Sequence, residues 1–113
     1  MRLDAGVLAE ALTVALAHGP IAADQVVAGS PIVGTVVLDD SDGVEIGVWE
    51  MTPGTATDTE IDEVFVVIAG RATVEFENGQ DVVELAPGSV VRLEAGMRTT
   101  WTVHETLRKV YVA

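Results

Sequence analysis

The chain has 113 residues, with 18 acidic against 6 basic side chains, a formal net charge of −12 and no cysteine. That length suits one domain able to bury its own core. The absence of thiols excludes a disulfide framework, a thiolate metal site and a cysteine nucleophile, and the negative field repels nucleic acid and anionic membrane surfaces alike.

At the N-terminus, Arg2 is followed by Asp4 and Glu10, and a carboxylate in mid-run is foreign to the apolar centre of a signal peptide. No apolar run approaches the ~18–20 residues of a membrane span. The expectation is therefore a cytoplasmic protein whose first residues belong to the fold. The stretch "LDAGVLAEALTVALAHGP" predicts one short helix within residues 1–20. Asp4 would be its N-cap, Val7, Leu8, Leu12 and Leu16 its apolar stripe, and Gly19-Pro20 its stop. His18 would lie in the last turn as a partner of the helix dipole.

From about residue 26 the pattern changes to short β-rich runs: "VGTVVLD", "GVEIGVWEM", "EVFVVIAG", "ATVEF", "DVVEL", "SVVRL", "RTTWTV" and "LRKVYV". Turn signals separate them, and Asn78-Gly79 predicts a two-residue hairpin with φ > 0 at both centres. Eight close-spaced strands with no helical pattern between them predict an antiparallel sandwich or barrel over residues 26–113.

Alternation assigns the faces. Thr99, Trp101 and Val103 share the inner face, as do Ala72, Val74 and Phe76. Residues 64–69 do not alternate, which predicts a strand covered on both sides, by the helix or by a second copy of the chain. With 49% hydrophobic residues and a mean hydropathy of +0.38, apolar surface beyond one core is expected, and with it a homodimer. In Arg108-Lys109 at most one side chain can point inward, so an ion pair with Glu105 or Glu50 is expected.

Several segments together resemble the cupins, small jelly-roll β-barrels with two signature segments. Glu63 followed by Gly70 is similar to the end of the first, and "APGSVVRLEAG" (86–96) to the start of the second, with Gly88 and Gly96 at its turns. More narrowly, "GVWEMTPG" and "TTWTVHETLRKVYV" resemble the ureidoglycine aminohydrolase-type group. The resemblance implies an all-β fold: a single cupin jelly-roll barrel of two antiparallel sheets, with the short N-terminal helix packed on it.

It also implies where a divalent metal would be held. The family's two first-segment histidines fall at Thr57 and Thr59, or with the alternative spacing at Ala56 and Asp58. Its glutamate is Glu63, and its second-segment histidine falls at Thr99. A carboxylate among threonine hydroxyls is a poor transition-metal site. His104 should face outward, and Asp58, Glu60 and Asp62 lack calcium-loop spacing. Neither metal nor other cofactor is expected.

The site so reconstructed contains Thr57, Thr59, Glu63, Thr99, Trp101 and Trp49. Its first reading is a metal-free module binding a small polar molecule in the barrel lumen. The alternative is a metal-independent enzyme of nitrogen-compound metabolism, an isomerase, epimerase or C–N hydrolase, with Glu63 as catalytic acid or base. The plainer reading of Glu63 is an ion-pair partner of Arg98 or Arg71, and of Trp101 a core residue.

Overall fold

Two long strands organise the molecule: β6 (Glu63–Phe76) and β9 (Arg98–Val112). In the computed structural model, which describes residues 1–113, they pair antiparallel from Val64 opposite Val112 to Phe76 opposite Thr99. Each was expected as two strands. They run through because the breaks are bends, not turns. At Gly70 the backbone takes φ +88, and a side chain there would collide with the Thr106 carbonyl. The β6–β9 register slips between Val67 and Ala72, as bulges do where a sheet folds over.

The bend makes one continuous ladder into two facing sheets. On one side of it lie β1 (Ala17–Pro20), β3 (Ile32–Asp39), β4 (Ile46–Met51), the C-terminal half of β9, the first half of β6 and β8 (Val90–Leu93). On the other lie β2 (Val26–Ala28), β5 (Gly54–Thr59), the first half of β9, the second half of β6 and β7 (Val83–Leu85). The fold is thus an all-β jelly-roll barrel, and no helix in it is long and apolar enough to cross a membrane.

The core fills the space between the sheets. Phe65, Val67, Val74, Leu93 and Leu107 are buried almost completely, and Met51, Ala72, Leu85 and Val103 pack with them. Burying each of the larger side chains contributes roughly 1.5–3 kcal/mol. Parity along β9 holds as expected, with Thr99, Trp101 and Val103 all inward and buried.

The N-terminal helix does not form. Residues 1–16 cross the outside of the barrel as turns, with single-turn hydrogen bonds such as Val14 N–H to the Glu10 carbonyl. Three local facts explain this. Gly6 sits at φ +77, Ala17–Pro20 are drawn into β1 by pairing with β3, and Arg108 takes the carbonyls of Ala11 and Val14 that a helix would need. A helix this short is marginal without a face to pack, and its stripe stays outside, with Leu8 and Leu12 exposed. Pro20 is tolerated because β1 is an edge strand.

His18 accordingly caps nothing. It pairs in register with Gly34 and reaches the Glu50 carboxylate at 2.6 Å. A Cβ on Gly34 would strike the His18 ring, so that glycine makes the room.

The Asn78-Gly79 hairpin is also different. Only Gly79 has positive φ, and the connection runs from Phe76 to Val83. The outer side of residues 64–69 is only part covered, leaving Val64, together with Val90 and Val112 on the neighbouring strands, partly exposed.

Candidate functional site

Between the sheets, at the end where β4, β5, β6 and β9 meet, lies a cavity of about 520 Å³. Its floor is an ion pair. Lys109 and Glu63 come from adjacent strands and meet with Nζ 2.6 Å from Glu63 Oε2, the two side chains 6% and 11% exposed. The ammonium also lies over three aromatic rings, 4.3 Å from the centre of Phe65, 4.6 Å from Trp49 and 5.0 Å from Trp101. Register explains the box. Trp49 is paired with Lys109 on β4, and Phe65 with Tyr111 on β6, so all these side chains share the inner face. Cation–π attraction to desolvated rings, about 2 kcal/mol in such a setting, offsets part of the cost of burying the ammonium.

A second network forms one wall. Glu60 is 8% exposed. Its Oε2 accepts a hydrogen bond from the Thr99 hydroxyl at 2.6 Å and from the Trp101 indole N–H at 3.0 Å, and that N–H also lies 3.0 Å from Thr99 Oγ1. Trp101 is fixed further by tilted contacts with Trp49 and Phe65.

On the opposite side, the Tyr111 hydroxyl donates to Glu45 at 2.7 Å. Burial, and next the bond to Glu45, push the Tyr111 phenol far up, so it remains a neutral donor. Gly47 makes space for it, since a Cβ there would fall 2.5 Å from the phenolic oxygen.

At the mouth stands Asp58. Partial burial, then the neighbouring Glu60 charge, hold its carboxyl above the usual range, while a hydrogen bond from the Thr59 N–H works the other way.

The residues expected from sequence are only partly brought together. Glu63, Thr99, Trp101 and Trp49 meet in or against the lumen. Thr57 and Thr59 do not turn inward: their strand partners are Thr100 and Arg98, and Thr57 Oγ1 bonds outward to the Gln25 carbonyl. They form the rim, and the inner positions on β5 are Ala56, opposite Trp101, and Asp58, opposite Thr99. The alternative family spacing is therefore the one that matches the inner face. The partner of Glu63 is Lys109 rather than Arg98 or Arg71. Arg108 does pair with Glu50, at 3.1 Å, and His104 faces out against Thr73.

Glu60, Lys109, Tyr111 and Glu45 were not foreseen as site residues. For Glu60 a signal existed: it continues the parity of Ala56 and Asp58, and a buried indole N–H needs an acceptor.

The donor set does not fit the divalent metal that cupins usually hold. The four positions carry Ala56, Asp58, Glu63 and Thr99, no imidazole among them, and no three carboxylate or imidazole groups converge. Glu63 already serves an ammonium.

Comparison with known proteins agrees with the barrel. Residues 38–111 match the EutQ-like cupin domain, and the chain belongs to that family. Among solved structures it is similar to EutQ of Clostridium difficile, at 23% identity and a TM-score of 0.62, over 73% of this chain and 67% of that one. It is also similar to a protein of unknown function of the DUF861 family from Pseudomonas syringae pv. tomato, at 26% identity and a TM-score of 0.74. That match covers 97% of this chain but 46% of the other. Ectoine synthase from P. lautus matches at 20% identity and a TM-score of 0.63, over 71% of this chain and 62% of the enzyme. At such identities EutQ and ectoine synthase attest the fold alone. No curated protein matches the sequence.

Proposed function

We propose that this cupin barrel is a metal-free module that binds a small polar molecule in its lumen. The observation that carries this reading is the use made of Glu63. The one carboxylate retained at a family ligand position is committed to an ammonium inside an aromatic box. Beside that pair remains a cavity of about 520 Å³ with aromatic walls and a few placed polar groups, the usual make-up and size of a small-molecule site.

The test is a thermal-shift screen of the full chain against polar metabolites, with elemental analysis of the purified protein. The expected result is a raised midpoint for a subset of compounds and no stoichiometric transition metal. Tightly held zinc, iron or nickel would sink the reading.

A metal-independent enzyme is the second reading, and Asp58 is the observation in its favour. A carboxyl held above its usual range at the cavity mouth suits proton transfer. In this reading Glu63, bound to Lys109, orients the ammonium.

A further inference from the structure

We propose that the ligand of this lumen is a small organic cation, a primary ammonium or guanidinium on a short apolar stem; this rests on the binding-module reading above. The first ground is the balance of charge. Four carboxylates line the cavity, those of Glu45, Asp58, Glu60 and Glu63, against the single ammonium of Lys109. That ammonium is matched by Glu63. The other basic groups that form ion pairs do so with Asp40, Glu50, Glu77 and Glu94, so Glu45, Asp58 and Glu60 form no ion pair in the protein, although the Lys109 charge is felt at Asp58.

The second ground is Glu60 itself. It is more than nine-tenths buried, its Oε2 receives two donors, and its Oε1 receives none. It is not a sealed, orphaned atom either, since no fully buried polar side-chain atom lacks a partner. Glu60 lines the cavity, and a carboxylate oxygen with no partner there is an acceptor for an incoming donor, with a charged donor making the stronger bond.

The third ground is the wall. Trp49 and Trp101 both line the cavity; their rings already hold the Lys109 ammonium, and what they offer a ligand is an apolar wall for its stem. An anion would meet three uncompensated carboxylates, and a neutral ligand would leave Glu60 without a counter-charge. A bare divalent ion fails for a geometric reason, because these carboxylates do not converge on one point. An ammonium with three N–H donors, or a guanidinium with its planar fork, can serve acceptors set apart from one another. Deprotonation of Asp58, whose carboxyl is held above its usual range, would strengthen the attraction as pH rises.

The experiment uses the two tryptophans as reporters, since the chain has only Trp49 and Trp101 and both lie in the cavity. Fluorescence is titrated with n-butylammonium, n-butylguanidinium, 1-butanol and butyrate, with calcium chloride as an inorganic control. The expected result is saturation by at least one of the two cations, at least tenfold tighter than by butanol or butyrate and weakened by added salt. Glu60→Gln should weaken the cation roughly tenfold or more. Asp58→Asn, which keeps an acceptor oxygen for the Thr59 N–H, should weaken it roughly two- to fivefold.

Saturation by butanol or butyrate as tight as by the cations would overturn the cation class and leave the binding module standing. Failure of both cations to saturate would likewise overturn the cation class, while the binding module itself stands or falls on the thermal-shift screen. Saturation by calcium at comparable concentration would replace the organic cation with a metal.

Discussion

Arg108 and Lys109 are consecutive residues of β9, and both meet a glutamate, yet the two pairs do different work. Lys109 points into the lumen, where Glu63 and three aromatic rings enclose it. Arg108 points out, where Nε meets Glu50 and a terminal nitrogen clamps the carbonyls of Ala11 and Val14. Glu50 is shared with His18. The inner pair organises a cavity and stands on its own; the outer cluster ties a segment without regular structure to a sheet. Equal chemistry, separated by one step of strand parity, gives a site on one face and a fastening on the other.

Breaking the inner pair should have the largest effect. Lys109→Met leaves the Glu63 carboxylate buried without its ammonium, at a cost of ~3–5 kcal/mol. Lys109→Met combined with Glu63→Leu removes both charges and should recover most of the loss, because a buried pair is often no better than packed hydrophobes. Urea denaturation of the wild type, the single and the double variant measures this. A single variant within ~1 kcal/mol of wild type would mean that the pair is far more solvated than its exposure indicates.

Breaking the outer cluster should cost less and act locally. Arg108→Ala removes a charged hydrogen bond to Glu50 and two to backbone carbonyls, worth about 2–3 kcal/mol in all. The loss should concentrate on residues 1–16. Val48, fully buried though on the outer face beside the Arg108 row, should gain exposure with them. Limited proteolysis is expected to cut within residues 1–16 faster in the variant, with the Trp49 and Trp101 emission unchanged. A shift in that emission would show that the outer cluster also shapes the lumen.

What was legible beforehand divides along the same line. The barrel was readable because strand parity and turn residues are local signals that the fold obeys: Trp101 inward, Gly88 and Gly96 at positive φ. Glu63, Thr99, Trp101 and Trp49 followed from parity and from the family resemblance. Lys109 did not, because its role depends on a partner 46 positions away, Glu63; for Glu60 only the parity of Ala56 and Asp58 was readable, since its partner Thr99 lies 39 positions away. The N-terminal helix failed for a related reason. Its stripe and caps were sound locally, but β3 claimed Ala17–Pro20 and Arg108 claimed the carbonyls, and tertiary pairing outweighs a marginal propensity.

The smallest effect is expected where the outer fastening is most exposed. Asp39 receives the Ser41 hydroxyl and N–H at one carboxylate oxygen and the Leu3 N–H at the other. These bonds, the Ser41 hydroxyl foremost, lower its carboxyl to about 2 from the ordinary 3.8. A depressed carboxyl contributes stability that is fully present above the ordinary value and lost as pH falls through the folded one. The hold on Leu3 should therefore be intact at pH 5 and above, contribute progressively less stability below about 4, and have its own midpoint near 2. Asp39→Asn keeps an acceptor oxygen but removes the charge, and should abolish this dependence while leaving the lumen untouched. Backbone amide chemical shifts of residues 2–4, followed from pH 5 to about 1, read the effect directly. A midpoint near 3.8 for the Leu3 amide would mean that the Asp39 bonds do not hold the segment, leaving that work to Arg108 and to the contacts of Met1 with Asp40.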